Sequence, residues 1–573
     1  MEILKRVITS KYLILSLILL IGLLCRLIGI VKQGGLWYDE VITYTISNKS
    51  FPFGILNKLH YEDNQAPLYY FILHFWMKLF GDGSTVLRFL SVSFGMINIY
   101  VMYFVGKELS GRKLGYLLAA FVSINSFLIY FSQEVRHYSL LALVSTLSIL
   151  FMLRILKTPN LFNYTFFVLS NLAIVHTFPL GIIFIALESF FLFIYLFLKD
   201  KSQLKNYIYS QIITIFLCLP YITELVYMAK NTSKSIVGHF WWIEPGLASP
   251  FLIFQSWFSP VLVNIRSHDI NYYNNIFSNG LTLSFILFIT VPMLIYAVGI
   301  VKGISKKNST FIIFLTGISF IILELIFAMF DKAGIMARHT TPALPALLII
   351  SVYGLTKINN KIISGILISS LLLINSYYII FSSNSAPKEL RHGYKYVTRV
   401  LDKLNLNKED VIIIPYGARF FDEYYKNNRA RVFQFDVEKI YCLGQDLEKV
   451  FDANLIKKIS ANKANKKELL RSYISSPDIS KPFEDYVKKE VINKLKKNNR
   501  VVIVMMGGID SYNEKDIKLI TSSDSIYNRK HLFFYMLTSK NIIDLFTIMI
   551  KYDVKFTKYK EEMGIKYYLF EKI

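Results

Sequence analysis

The chain has 573 residues, 54% of them hydrophobic, 16% aromatic and only 18% charged. Soluble domains average near a quarter charged, so a soluble multidomain enzyme is excluded, and 46 Phe with 38 Tyr exclude intrinsic disorder. The net charge of +24 is shared: residues 1–384 carry 28 Lys/Arg against 15 Asp/Glu, and residues 385–573 carry 36 against 25. In the first part the basic residues follow the loops. In the second they are spread among acids, without arginine–aromatic interleaving. A nucleic-acid partner is therefore not expected, and attraction to an anionic lipid bilayer is the simpler account. Cys25, Cys218 and Cys442 form neither a metal spacing nor a disulfide framework.

Apolar runs of about 20 residues, the length of a membrane span, recur through residues 1–384. They predict about 11 transmembrane helices, near 12–31, 85–106, 114–131, 139–156, 161–178, 180–198, 207–228, 281–301, 310–330, 340–356 and 362–381. The first reads as a retained span. Its apolar stretch is longer than a signal core, and no small-residue cleavage site precedes Trp37-Tyr38-Asp39-Glu40. With the N-terminus cytoplasmic, the inside segments hold 16 basic residues, from Lys5, Arg6 and Lys11 through to Lys357 and Lys361, against Glu2, Glu108 and Asp200. Every short inside loop is then basic, as the positive-inside rule requires. An odd number of spans puts the C-terminal region outside a cell (plasma) membrane that the chain crosses many times.

Two outside loops are long, 32–84 and 229–280, and both are rich in Trp, Tyr, Pro and apolar residues. Loops of that length are functional or disordered, and this composition argues for order, with short interfacial helices around 51–60 and 67–80. Residues 385–573 read as a water-soluble domain. Helical periodicity near 388–404 precedes the run Val411-Ile412-Ile413-Ile414, and Val501-Val502-Ile503-Val504 precedes Gly507-Gly508. A helix near 540–551 and an edge strand at 565–571 follow, which makes a small α/β unit. The expected fold class is a polytopic α-helical membrane protein, residues 1–384, with a C-terminal extracytoplasmic α/β domain, residues 385–573.

Polar residues with chemical potential gather on the outside loops. Asp39-Glu40 directly follows the first span. The pair reads either as solvated acids in an aromatic belt or as a general base, since activating a sugar hydroxyl needs a carboxylate within reach of its proton. Glu62-Asp63-Asn64-Gln65-Ala66-Pro67-Leu68-Tyr69-Tyr70 closes the same loop, as a turn and helix cap or as a substrate contact. Ser132-Gln133-Glu134-Val135-Arg136-His137-Tyr138 lies between spans three and four, where charges are costly unless paired or used. Arg338-His339 stands on the same face, as a snorkelling pair or as a holder of lipid phosphate. His268-Asp269 in the second long loop is a weak metal candidate, because two adjacent residues are not a ligand set. Glu224 and Glu324 sit toward outer helix ends, and Glu188, nearer mid-span, reads as a buried hydrogen-bonded carboxyl.

Trp37-Tyr38-Asp39-Glu40, Ala66-Pro67-Leu68-Tyr69-Tyr70 and Ser132–Tyr138, in that order and topology, resemble the GT-C superfamily of membrane glycosyltransferases. The likeness is greatest to bacterial relatives of the protein O-mannosyltransferases and the aminoarabinose lipid A transferase. The resemblance spans roughly residues 1–350 in organisation, with specific likeness in about thirty residues. It implies an inverting enzyme that takes a sugar from a polyprenyl-phosphate carrier at the outer membrane face and passes it to a glycan, lipid or protein acceptor. The family's base falls on Asp39, with Glu40 as neighbour or substitute, and its Glu-x-Arg-x-Tyr pattern is Glu134, Arg136 and Tyr138. Asp63, Gln65, Tyr69, Arg338 and His339 complete the implied substrate contacts. The family often has His or Pro where this chain has Gln65 and Ala66, which leaves a metal or phosphate contact there open. A divalent cation is an implied helper for which the sequence places no ligands.

Two other classes compete. A transporter or flippase of lipid-linked glycans predicts paired helical repeats and midplane charges, whereas no repeat appears and most charges lie toward the outer face. A non-catalytic receptor or scaffold requires that the acids of the first loop be dispensable.

Overall fold

The computed structural model describes residues 13–32, 36, 38–62, 65–232, 249–259, 290–304, 309–331, 337–382, 401, 403–414, 431–434, 484–485, 487–489, 491–505, 548–549, 551–562 and 565–572. Two compact units divide the chain. The first comprises Met1–Gln33, Ile42–Thr232 and Trp241–Ala386, and the second Gly34–Val41, Ser233–Phe240 and Pro387–Ile573.

Helices lie over each apolar run that the sequence marks. They are α1 (Leu13–Lys32), α5 (Ser84–Ser110), α6 (Arg112–Ile124) with α7 (Ser126–Ser132), α8 (Tyr138–Lys157), α9 (Leu161–Thr177), α10 (Gly181–Lys199), α11 (Leu204–Thr232), α13 (Val291–Gly303), α14 (Ser309–Asp331), α15 (Ala343–Thr356) and α16 (Lys361–Ser382). Among the described residues, four helices are long and apolar enough to cross a membrane: α5, α8, α10 and the 309–327 part of α14. The α6–α7 pair, bent by 60°, makes a fifth if the two helices form one span. The run expected as one span at 114–131 is thus a broken helix. The run at 281–301 is helical from Val291, and residues 281–289 lie outside the described set.

Lipid tails are as apolar as leucine, so helices in a bilayer associate through close packing and internal hydrogen bonds more than through hydrophobicity. Both devices are present. At the α13–α15 crossing, a Cβ added to Gly354 would lie 1.8 Å from the Gly299 carbonyl oxygen, and one on Gly303 would lie 2.2 Å from that of Ile350. At the α5–α6 crossing, a Cβ on Gly106 would lie 2.6 Å from the Gly115 nitrogen. Polar bonding joins α8, α9 and α10, where Ser148 Oγ donates to Glu188 and also lies 2.7 Å from Asn171 Oδ1. Glu188 is the buried hydrogen-bonded carboxyl that the sequence suggests.

The described residues of the first long loop are largely helical. Helices stand at the two expected places, as α3 (Phe53–Glu62) and α4 (Leu68–Phe80), preceded by an unanticipated α2 (Tyr38–Ser47). Ile46, Ile55, Leu59 and Tyr70 form a small core that ties the three together. His74 Nδ1 lies 2.8 Å from the Ser47 carbonyl oxygen, and the Tyr44 hydroxyl donates to Asp82 at 3.1 Å. His60 pairs with Glu224 at 2.7 Å, joining α3 to α11. In the second long loop, α12 (Ser249–Phe258) buries Trp257 completely.

The second unit contains a five-stranded sheet of order β2-β1-β3-β5-β4, built from β1 (Val411–Ile414), β2 (Arg431–Gln434), β3 (Arg500–Met505), β4 (Val554–Glu562) and β5 (Ile565–Lys572). β1 runs parallel to β2 and β3, pairing Val411 with Arg431 and Val501, while β5 is antiparallel to β3 and β4. The continuous apolar runs at β1 and β3 are buried, as interior parallel strands require. Arg500 pins them together: its backbone N–H and guanidinium donate to the buried Asp410 at 2.8–3.1 Å, and the guanidinium also reaches the Leu404 and Asn405 carbonyls. One expectation is corrected. The strand near 565–571 is interior, paired on both sides, and β4 lies at the end of the strand order.

Candidate active site

The Ser132–Tyr138 turn is where the first unit concentrates its buried polar groups: Glu134 and His137 are each 1% exposed and Arg136 is 5% exposed. A helix break builds it. Asn125 leaves helical geometry (φ −70, ψ 118), and its side chain accepts from the Leu128 N–H to start α7. Its Nδ2 donates to the Trp257 carbonyl at 2.8 Å. The break frees carbonyls at the end of α6, and Arg26 of α1 satisfies them by donating to Val122 at 3.2 Å and Ser123 at 3.1 Å. Arg26 also donates to the Ser132 hydroxyl at 3.2 Å, and Gln133 returns the contact by donating to the Cys25 and Arg26 carbonyls. The turn is therefore locked to α1 from both sides.

Helices of the first loop meet the turn at Arg136. Its guanidinium donates to Thr43 Oγ1 at 3.0 Å, and its carbonyl accepts from Ser91 at 3.4 Å. The Ser91 hydroxyl is in turn 2.8 Å from that of Tyr69, which is fully buried. A second cation comes from the turn before α15. The Trp257 indole donates to the Ala337 carbonyl at 3.3 Å, which sets Arg338 with its guanidinium over the Tyr138 ring at 5.9 Å. Thr341 closes that turn on the Arg338 carbonyl at 2.6 Å.

Aromatic stacking continues the cluster. His137 lies 4.3 Å from Tyr138 and stacks on Phe178 at 5.8 Å, and Phe178 stacks on His339 at 6.5 Å. Dehydration, with the guanidiniums of Arg338 and Arg136 close by, holds the His339 imidazole down to about 3. Dehydration also holds His137 well below its ordinary value, with Arg136, Arg338 and His339 adding to the effect. Four basic side chains in one dehydrated region favour an anion: two permanent guanidinium charges attract it, and two neutral imidazoles stand ready to share the load.

Of the residues singled out from the sequence, Tyr69, Glu134, Arg136, Tyr138, Arg338 and His339 therefore belong to one unit, and five of the six join through these contacts; Glu134 shares the Arg136 turn and is buried. Gln65 is half-buried just before α4. Asp39 and Glu40 occupy the first turn of α2, Asp39 half-buried and Glu40 fully buried, and they fall in the second unit. Asp63, His268 and Asp269 lie outside the described residues. Among the described residues, no group of three His, Cys, Asp or Glu side chains is placed to hold a metal. Sequence reasoning missed Arg26, Thr43, Ser91 and Trp257. The signal available for Arg26 was a lone arginine inside the first apolar span, whereas single hydroxyls and a loop tryptophan carry none.

The fold, with its several apolar helices, is that of a multi-pass helical membrane protein and is similar to that of GT-C membrane glycosyltransferases. Residues 64–223 match the model of the family described as dolichyl-phosphate-mannose-protein mannosyltransferase, a stretch that includes Tyr69 and the whole Ser132–Tyr138 turn. By fold the chain is similar to ArnT from Cupriavidus metallidurans bound to undecaprenyl phosphate, at 10% identity, 98% of this chain, 99% of that one and a TM-score of 0.51. It is similar too to the archaeal oligosaccharyltransferase AglB from Archaeoglobus fulgidus in complex with an inhibitory peptide and a dolichol-phosphate, at 12% identity, 97% of this chain, 74% of that one and a TM-score of 0.50. No curated protein matches the sequence.

Proposed function

We infer that this protein is an inverting glycosyltransferase that moves a sugar from a polyprenyl-phosphate carrier to an acceptor hydroxyl at the outer membrane face. The observation that carries the reading is the approach of Arg136 to the Thr43 hydroxyl and of Arg338 to the Tyr138 ring at one buried turn, Ser132–Tyr138, which lies inside the stretch that matches the mannosyltransferase family. The undecaprenyl phosphate and dolichol-phosphate held by the two similar proteins are both polyprenyl phosphates, the carrier class assigned here. About eleven spans, a cytoplasmic N-terminus and an extracytoplasmic domain at 385–573 complete the assignment, and the basic inside loops support it.

Asp39 is assigned as the base, with Glu40 its neighbour. The Asp39 carboxylate takes the acceptor hydroxyl proton as that oxygen attacks the anomeric carbon from the face opposite the phosphate. The bond from carbon to phosphate oxygen breaks, and the electron pair leaves with the carrier. Arg136 and Arg338 stabilise the charge that develops on the leaving phosphate. Tyr138, Tyr69, Glu134, Asp63, Gln65 and His339 are assigned to substrate contact. A divalent cation of the kind the resemblance implies would supply Lewis-acid help at the leaving phosphate, and its weak candidate ligands His268 and Asp269 lie outside the described residues.

The test uses purified protein in lipid nanodiscs, a panel of polyprenyl-phosphate sugars and native membrane extract as acceptor, with release of polyprenyl phosphate as the readout. Release is expected with one donor, and Asp39→Asn is expected to lower it by about 10²–10⁴-fold while the protein stays folded. Full transfer by Asp39→Asn would overturn the base assignment. No release with any donor would favour glycan transport or a scaffold instead.

A further inference from the structure

The site described above leaves one group without a task. His137 sits between Arg136 and Tyr138 and is 1% exposed, yet its Nε2 is enclosed and makes no hydrogen bond among the described residues. The ring is held from two sides, by Tyr138 and by Phe178. An enclosed polar nitrogen held rigidly without a partner is costly unless a ligand or a water completes it. The charged and titratable groups that act on this ring are Arg136 in its own turn and Arg338 and His339 in the turn before α15, with Glu134 three residues back. A third permanent cation in that position would repel both guanidiniums, whereas an imidazole can be neutral or charged according to what else is present.

We propose that His137 is a proton-linked phosphate ligand, neutral while the site is empty or holds the singly charged donor diester, and protonated when the doubly charged polyprenyl phosphate monoester stands there. The proposal rests on the carrier class inferred above. Transfer cleaves the diester at the sugar carbon and leaves its electron pair on the phosphate, whose charge rises from one to two. The acceptor proton goes to Asp39, so the added charge needs a cation from elsewhere. His137 supplies it by taking a proton from solvent, and its Nε2–H donates to a phosphate oxygen. Dehydration, with Arg136, Arg338 and His339 nearby, lowers the basicity of the empty-site imidazole, which agrees with its neutral state there. The sign follows from linkage: binding that takes up a proton tightens as pH falls and weakens as pH rises.

The experiment measures binding of undecaprenyl phosphate to the full-length protein in nanodiscs from about pH 7 to 8.5, where a phosphate monoester stays doubly charged. Calorimetry in two buffers of different ionisation heat counts protons. Wild type is expected to take up about one proton per lipid near pH 7, and its Kd to rise by up to about tenfold per pH unit. His137→Gln should bind more weakly with a flat pH profile and no uptake, while His339→Gln keeps the slope. Zero uptake by wild type, an unchanged slope in His137→Gln, or a slope lost only in His339→Gln would each overturn the assignment and leave the carrier class standing. No binding of the lipid by wild type at any pH would overturn the carrier class, and this proposal with it. Should His137→Gln fail to fold, the wild-type proton count decides alone.

Discussion

At the α13–α15 crossing, Gly299, Gly303 and Gly354 remove side chains so that one helix backbone rests on the other, and the neighbouring Ser351 donates to the Tyr296 carbonyl at 2.7 Å. At the Ser132–Tyr138 turn, the chain keeps long polar side chains and satisfies them one bond at a time, with Arg26, Asn125 and Gln133 each paired to named carbonyls. Both regions are buried in a bundle that has little hydrophobic drive to associate. The difference lies in what each leaves available. Backbone contact through glycine yields rigidity and no functional group, whereas a broken helix presents directional donors that must be held in place. On the function proposed here, the chemistry falls where the helices are broken and bonded, and the scaffold where they are smooth and close.

That contrast is broken most severely at the glycine crossing. Gly354→Leu puts its first side-chain carbon where the Gly299 carbonyl already lies, and backbone cannot move aside as a flexible side chain can. Loss of monodisperse protein in detergent is expected. A folded, active Gly354→Leu would show that the crossing is loose. Arg26→Met comes next. It keeps the volume but strips the Val122 and Ser123 carbonyls of their donor, at about 3 kcal/mol. A lower melting temperature in nanodiscs and faster proteolysis at the α6–α7 break are expected. Arg26→Lys should recover only part of the loss, because an ammonium lacks the planar fork. Parent-like stability in Arg26→Met would mean that the break holds itself.

How much of this was readable in the sequence follows from the same contrast. Apolar runs announce helices, so a helix lies over each of them, and most of their described ends fall within a few residues of the expected ones. The break was not legible, because residues 112–132 read as one apolar run and Asn125 is its only mark. Among site residues, Arg136, Tyr138 and Tyr69 stood out through motif order, and Arg338-His339 through charge beside a span. Thr43 and Ser91 were invisible, since a hydroxyl acquires meaning only from the partner that folding brings to it. His137 was read as part of a motif and given no role, because the enclosure of its Nε2 beside Tyr138 and Phe178 is three-dimensional. In the sheet, residues 554–562 carry no continuous apolar run and were assigned no strand, and without β4 the interior β5 took the place of an edge.

The smallest predicted effect tests whether the bonded region holds chemistry or merely itself. Thr43→Val keeps the shape of the side chain and removes the oxygen that accepts from Arg136 at 3.0 Å. The guanidinium has further donors, so stability should change by no more than about 1 kcal/mol. The aim of the guanidinium should suffer more than the fold. If Arg136 stabilises charge that appears only as the carrier leaves, kcat should fall by about tenfold with little change in KM for the donor, the mark of an interaction made in the transition state. Thr43→Ser, which restores the oxygen, should restore kcat. A loss of stability in Thr43→Val with unchanged turnover per folded molecule would instead make this bond part of the scaffold. The division between a bonded, chemical region and a packed, structural one would then have to be drawn closer to the turn itself.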